Sequence, residues 1–363
     1  MNLSNGIMTK IIRWGLAVLS LHCFTSVSFA NSDSLKVLFI GNSYTHMNNM
    51  PKIFDKLCKA KGKSVIVEMN TRAGASFRVH TGRQDMFDKI KSRKWDYVVI
   101  QGYSREFIEE PTYLDTASVP FMVQIMDSIK ANNSCTQILL YQTWGYKDGY
   151  LENPLTDTYD KMTDKIQYGY RYVSEVFSLP ISPVGSVWRE LRKNVPDINL
   201  YDADNAHPNK NGSYLSACTF YAAIFRESPE GAVTGTIGAR EAKEIQKQAA
   251  AYVLPRLSEL KLDINYFSVT IPKSTDGKFL ISCKSNYINA SSILWEFGDG
   301  SKSTEKSVTY LYKKHGTYRV KLTVVQPCGK VVYRTKVTFE APKKPKKQKE
   351  TKPVTQQKTD KKI

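Results

Sequence analysis

Between residues 35 and 260, short apolar runs alternate with segments of helical spacing, and this alternation limits the possible folds more than any other feature of the chain. Val37-Leu38-Phe39-Ile40, Tyr97-Val98-Val99 and the run Gln137–Tyr141 are apolar with no polar alternation. Such runs read as strands covered on both faces. Strands are expected at Lys36–Ile40, Ser64–Glu68, Asp96–Ile100, Gln137–Tyr141 and Pro180–Val184. Helices are expected at Met50–Ala60, where Pro51 suits a first turn, and at Asp85–Ser92, Val119–Ala131, Asp157–Phe177, Lys210–Arg226 and Ala239–Leu260. The alternation predicts an α/β unit over residues 35–262, a flavodoxin-like parallel sheet with helices on both faces. From about Asn265 the pattern changes. Runs rich in β-branched and aromatic residues at Phe267–Ile271, Phe279–Cys283, Ile293–Phe297, Val308–Tyr312, Tyr318–Val325 and Val331–Phe339 predict a small β-sandwich over residues 265–341.

The two ends of the chain read differently. Lys10 and Arg13, the mostly apolar stretch Trp14–Leu21 and the small residues around Ser28-Phe29-Ala30 have the layout of a secretory signal over residues 1–30. The apolar stretch is short for a membrane span, and His22 before Cys23 is poor for a lipoprotein signal. The protein is therefore expected to be exported: periplasmic, on the cell surface or secreted. The formal charge of +18 comes partly from the tail 342–363, which carries nine lysines against Glu350 and Asp360. That composition predicts a disordered tail, with electrostatic attachment to an anionic envelope or glycan polymer as its functional reading. The chain has no recognised nucleic-acid motif, so no nucleic-acid partner is expected. The sequence leaves the oligomeric state open.

Five of the six cysteines lie beyond Cys23. Cys283 and Cys328 fall in the same C-terminal region, so export predicts a Cys283–Cys328 disulfide. Cys58 and Cys218 sit in helical patterns and read as buried. Cys135 precedes a strand and carries no specific reading. No CxxC spacing, metal constellation or phosphate-binding glycine loop occurs, so no cofactor or metal is expected.

Two segments carry chemistry. Gly41-Asn42-Ser43-Tyr44-Thr45 follows the first strand, and Asp204-Asn205-Ala206-His207-Pro208 lies far downstream. A serine at the C-terminal edge of a parallel sheet is where open α/β folds put their sites. An Asp three residues before a His can hold its Nδ1–H while Nε2 faces a serine hydroxyl. Ser43, His207 and Asp204 are the candidate nucleophile, base and orienting carboxylate, with Asp202 as a second choice for the last. His46 and His80 lie near candidate loops and read as structural or supporting residues.

These segments resemble the SGNH (GDSL-like) hydrolase superfamily. Gly41-Asn42-Ser43 stands at the place of its Gly-Asp-Ser block and Asp204-x-x-His207 at that of its terminal Asp-x-x-His block. The resemblance implies a serine esterase with an oxyanion hole. By position, its donors are the N–H groups of Ser43 and Gly74, plus a side chain after the third strand. There Gln101-Gly102-Tyr103-Ser104 lacks the family's asparagine, so Gln101 or Ser104 is expected to substitute. Ile100-Gln101 with Ser104, and Gln142-Thr143-Trp144, resemble a bacterial branch of that family. Trp144 is a candidate platform for a sugar ring. An acylated carbohydrate, most simply an acetylated one, is the expected substrate. A lipid or thioester substrate, or a non-catalytic glycan- or envelope-binding scaffold, are the alternatives. In the C-terminal region Trp295-Glu296-Phe297-Gly298-Asp299-Gly300 and Gly316-Thr317-Tyr318-Arg319-Val320 resemble the PKD domain, with Trp295 and Tyr318 in its core and a tight turn at Asp299-Gly300. PKD domains commonly serve as spacers or contact modules.

Overall fold

In the computed structural model, residues 34–235, 237–272, 278–287 and 289–341 are described. The signal-like segment 1–30 and the basic tail 342–363 lie outside them. Five strands, β1 (Leu35–Gly41), β2 (Val65–Thr71), β3 (Tyr97–Ile100), β4 (Gln137–Tyr141) and β5 (Ile181–Ser182), form one all-parallel sheet in the order β2-β1-β3-β4-β5. Every residue of β3 is buried, and in β1 all but the first two are. Both faces of the sheet are therefore covered, and the helices do this in two packed groups. The first is α2 (Met50–Ala60), α8 (Val184–Asn194), α9 (Lys210–Phe225) and α10 (Ala239–Val253). The second is α3 (Phe77–Thr81), α4 (Gln84–Lys91), α5 (Pro111–Ala117), α6 (Val119–Asn132) and α7 (Tyr159–Phe177). Phe39 of β1 meets Phe54 of α2 and Phe220 of α9 edge-on. Helix α9 is buried from Gly212 to Phe225, which explains its nearly continuous apolar sequence. The expected helix to Leu260 stops at Val253. Pro255 follows it in a 3-10 turn, having no N–H to extend the ladder.

The strand order reverses beside β1, with β2 on one side and β3 on the other. In open α/β folds, the C-terminal ends of the strands beside such a reversal are the usual place for a site. A four-residue helix, α1 (Ser43–His46), begins at this point.

Residues 267–339 build two antiparallel sheets around a separate core. One has the order β10 (Ser307–Tyr312), β7 (Phe279–Ser285), β6 (Phe267–Thr270). The other has β12 (Gly329–Phe339), β11 (Gly316–Gln326), β8 (Ser292–Glu296), β9 (Lys302–Ser303). Trp295 is fully buried with Ile281, Cys283, Leu322 and Val324. Tyr318 is half-buried, stacked on buried Tyr312 at 3.8 Å, so it seals the edge of this core rather than filling it. At the tight turn, Asp299 accepts from Ser301 N–H (3.0 Å) and from the Tyr310 hydroxyl (2.7 Å).

The disulfide differs from the sequence expectation. Cys328 pairs with Cys135, not Cys283, across a Cα–Cα distance of 5.9 Å. Cys283 points into the sandwich core and is free. Cys328 occupies the exposed two-residue turn between β11 and β12, which reaches the loop before β4. The bridge thus links the two units. Around it, the Arg226 guanidinium donates to Leu262 O (2.8 Å) and the Tyr97 hydroxyl (2.9 Å) and lies over the Tyr266 ring at 4.8 Å. A cavity of about 130 Å³ lies here, lined by the strand starts Leu35, Tyr97 and Gln137 on one side and by Tyr287 and Tyr333 on the other. The sandwich therefore docks at the N-terminal ends of β1, β3 and β4.

His80 of α3 is fully buried. Burial, reinforced by the Arg83 charge, pushes its pKa down to about 4, which keeps it neutral at pH 7. Two predictions follow from the fold. Peptide mapping without reduction should recover a Cys135–Cys328 cross-linked pair and a free Cys283 thiol. A Cys283–Cys328 peptide would contradict the structure. The unfolded chain protonates His80 near the ordinary value of about 6.5, the folded chain only near 4, so this group's stabilisation is complete above about pH 6.5 and is lost as pH falls toward 4. Urea melts of wild type and His80→Asn should show a shallower loss of stability over that range in the variant. Parallel pH slopes would refute the assignment.

Candidate active site

Gly41 ends β1 with no room for a side chain: a Cβ there would stand 2.6 Å from Gln101 Oε1. This close approach lets the next residue bind across to β3. Asn42 caps α1, its Oδ1 accepting from Tyr44 N–H (3.0 Å) and from Gln101 Nε2 (2.8 Å). Its Nδ2 donates to Ala75 O (3.2 Å) and Gly102 O (3.1 Å). An aspartate here could make neither donation. Asn42 thereby ties together the loops after β1, β2 and β3.

Gln101 is equally committed. Its Oε1 accepts from Asn42 N–H (3.1 Å) and the Thr45 hydroxyl (2.7 Å), and its Nε2 donates to Asn42 Oδ1 and Gly102 O (2.7 Å). Both amide hydrogens are used and the side chain is fully buried. The expectation that Gln101 donates to an oxyanion is therefore corrected. Ser104 is also buried, and its hydroxyl pairs with that of Tyr146 at 2.8 Å. Between two paired hydroxyls only one hydrogen is consumed, so the pair keeps one donor. Gly74 sits exposed after β2 at φ +67°, a conformation that favours glycine. Glu106 braces the same region, its buried carboxylate accepting from Tyr103 N–H (2.9 Å) and Phe77 N–H (3.4 Å). Burial raises its pKa against the lowering effect of these hydrogen bonds.

Ser43 is the first residue of α1, so its N–H has no acceptor within the helix. Its Oγ lies 2.8 Å from His207 Nε2. His207 Nδ1 contacts Asp204 Oδ2, while Asp204 Oδ1 accepts the N–H groups of Ala206 (3.0 Å) and His207 (2.9 Å). Burial raises the Asp204 pKa, but the His207 ring and these two N–H groups outweigh it and hold the carboxyl below its ordinary value. Asp202 does not take this place: its carboxylate caps Ala203 N–H at 2.9 Å. His46 is half-buried beside the site. Burial, then the neighbouring His207 charge, lowers its pKa.

Trp144 is fully buried, so it offers no face to a sugar, contrary to expectation. It stacks between Tyr44 at 4.4 Å and Trp188 at 4.0 Å, and its Nε1–H donates to Ala206 O (3.1 Å). Tyr44 in turn meets the His207 ring edge-on at 5.5 Å. Lys147 N–H to Asn205 O (2.8 Å) and Asn205 Nδ2 to Asp148 (3.0 Å) tie the same loop to the one after β4. Sequence reasoning missed Asn42, Glu106, Tyr146 and Trp188. Only Asn42 carried a signal, as asparagine in a block where aspartate is usual. Among the described residues, no group of three His, Cys, Asp or Glu side chains is placed to hold a metal ion.

Comparison with known proteins agrees with this division of the chain. The PKD domain family matches residues 270–340. A DUF4886 family protein from Bacteroides uniformis shares the fold at a TM-score of 0.54 and 22% identity, covering 63% of this chain and 100% of that one. A lipase/acylhydrolase from Enterococcus faecalis aligns at a TM-score of 0.38 and 15% identity, over 56% of this chain and 100% of that one. Collagenase ColA of Bacillus cereus is 50% identical over 50 residues, 14% of this chain, and the match spans 5% of the length of that curated relative. The chain thus joins an α/β unit that shares the fold of the DUF4886 family protein to a C-terminal region that the PKD domain family matches.

Proposed function

We propose that the protein is an exported serine esterase that removes small acyl groups, acetyl foremost, from a carbohydrate. The observation that carries this reading is the hydrogen-bonded series Ser43–His207–Asp204 at the C-terminal end of β1. Ser43 Oγ attacks the ester carbonyl carbon as its proton passes to His207 Nε2. Asp204 holds the ring by Nδ1 and stabilises the imidazolium. The carbonyl oxygen becomes an oxyanion, received by the N–H groups of Ser43 and Gly74 and by the spare hydroxyl hydrogen of the Ser104–Tyr146 pair. Collapse expels the alcohol, which takes the proton from His207 and leaves an acyl-serine. Water, deprotonated by His207, attacks that ester and frees the carboxylic acid and Ser43. The Cys135–Cys328 bridge supports an oxidising compartment.

One observation favours a lipid or long-chain thioester instead. Leu151 and Leu155 are exposed on the loop after β4 that also carries Tyr146. An acyl-chain-length series separates the readings. A carbohydrate deacetylase should turn over acetyl esters fastest, and a steady rise toward long chains would favour the lipid reading.

Ser43→Ala should remain folded and lose at least about 10⁴-fold in kcat on 4-nitrophenyl acetate. His207→Ala should match it, and Asp204→Asn should cost somewhat less. Near wild-type turnover by Ser43→Ala would reject the mechanism. Tyr146→Phe combined with Ser104→Ala should lower kcat by about 10²–10³-fold with little change in KM. Gln101→Ala should behave differently. It strands buried partners at about 1–3 kcal/mol each, so the loss should appear as a lower melting temperature. A stable Gln101→Ala protein with a selective kcat defect would restore Gln101 as the donor.

A further inference from the structure

At the same end of the sheet as Ser43, one guanidinium in the loop after β3 has no ionic or hydrogen-bonding partner among the described residues. Arg105 follows Ser104 in the loop after β3 and is half-buried. Its guanidinium carbon lies 4.1 Å from the centroid of Tyr150 and 5.3 Å from that of Tyr103. Tyr150 meets Tyr146 edge-on at 6.5 Å, and Tyr146 holds Ser104. The same loop is pinned beside Ser43 by the hydrogen bond from Asn42 Nδ2 to Gly102 O. Nearby carboxylates are otherwise engaged. Glu106 accepts two backbone N–H groups, Glu152 accepts the Tyr150 hydroxyl, and Asp148 accepts Asn205 Nδ2.

Tyrosine faces orient a guanidinium without consuming its N–H donors. A planar fork of this kind matches a carboxylate bidentately. We propose that Arg105, cradled by Tyr103 and Tyr150, binds a carboxylate of the substrate, so that the preferred substrate is an acylated acidic glycan whose uronate group lies beside the ester. This rests on the esterase reading and adds to it the charge of the sugar. Loops after β3 and β4 both contribute to the subsite, so it lies at the same C-terminal end of the sheet as Ser43.

The test compares acetylated polygalacturonate with acetylated xylan for released acetate, with 4-nitrophenyl acetate as a separate check on the esterase itself. Wild type should favour the acidic polymer by about tenfold or more in kcat/KM, as expected for one charge-assisted contact. In Arg105→Gln that ratio should collapse toward one, and Arg105→Lys should fall between. A second arm needs no turnover. In the Ser43→Ala background, trigalacturonate should bind more tightly than xylotriose by calorimetry, and the added Arg105→Gln change should abolish the difference. A wild-type ratio near one, or a preference that survives Arg105→Gln, overturns the proposal while activity on 4-nitrophenyl acetate leaves the esterase reading standing. Absence of all ester hydrolysis rejects the esterase reading, and the binding arm then decides alone whether Arg105 recognises a carboxylate.

Discussion

The reciprocal pairing of Asn42 and Gln101 is the interaction on which the site depends. Each side chain uses all of its amide capacity, and each bonds the other as well as three further groups. Buried amides of this kind are costly when any partner is lost and rigid when all are present. The pair spans the point where β1 and β3 diverge, so it sets the start of α1, and with it the direction of the Ser43 side chain. It also ties the loop after β2 to the loop after β3. Gly41 is the steric condition for this arrangement, because any side chain there would push Gln101 away.

The opposite half of the site is placed by packing. Tyr44, Trp144 and Trp188 form a continuous stack, and Tyr201 meets its far end edge-on at 5.1 Å. Tyr201 also stands directly before the loop that carries Asp204 and His207, and a backbone bridge to Pro208 closes that loop at its base. The aromatic column thus reaches from the helix that Ser43 begins to the root of the His207 loop. A large ring area is buried with few rotatable bonds, which is a low-entropy means of holding two chain segments in register.

Much of this was legible in the sequence. Helix Met50–Ala60 and strand Gln137–Tyr141 have the expected bounds, because their periodicity and end signals agree. Helix α8 went unread because Pro183 and Gly185 mask its start with poor helix formers, and tertiary packing overrides them. The positions of Ser43, Asp204 and His207 were readable because each lies beside a strand end or in a short local spacing. The roles of Gln101 and Trp144 were not, since both depend on which distant side chains arrive beside them. Cysteine pairing failed for a related reason. Cys283 and Cys328 are neighbours in one unit by sequence, yet the inward pleat of β7 buries the first while a hairpin tip carries the second to the other unit.

Docking of the sandwich at the N-terminal ends of the strands gives the molecule two poles. The seven residues of β1 separate them by about 20 Å at the rise of a strand. With the linkage covalent through Cys135 and Cys328, that separation acts as a fixed spacer rather than a swinging tether. On the proposed esterase reading, a surface met by the sandwich and an ester met by Ser43 would belong to different molecules, or to well-separated stretches of one long polymer. Cleavage under that reading would proceed at a set height above any surface the sandwich met, and oligomers shorter than that separation would not reach both ends at once.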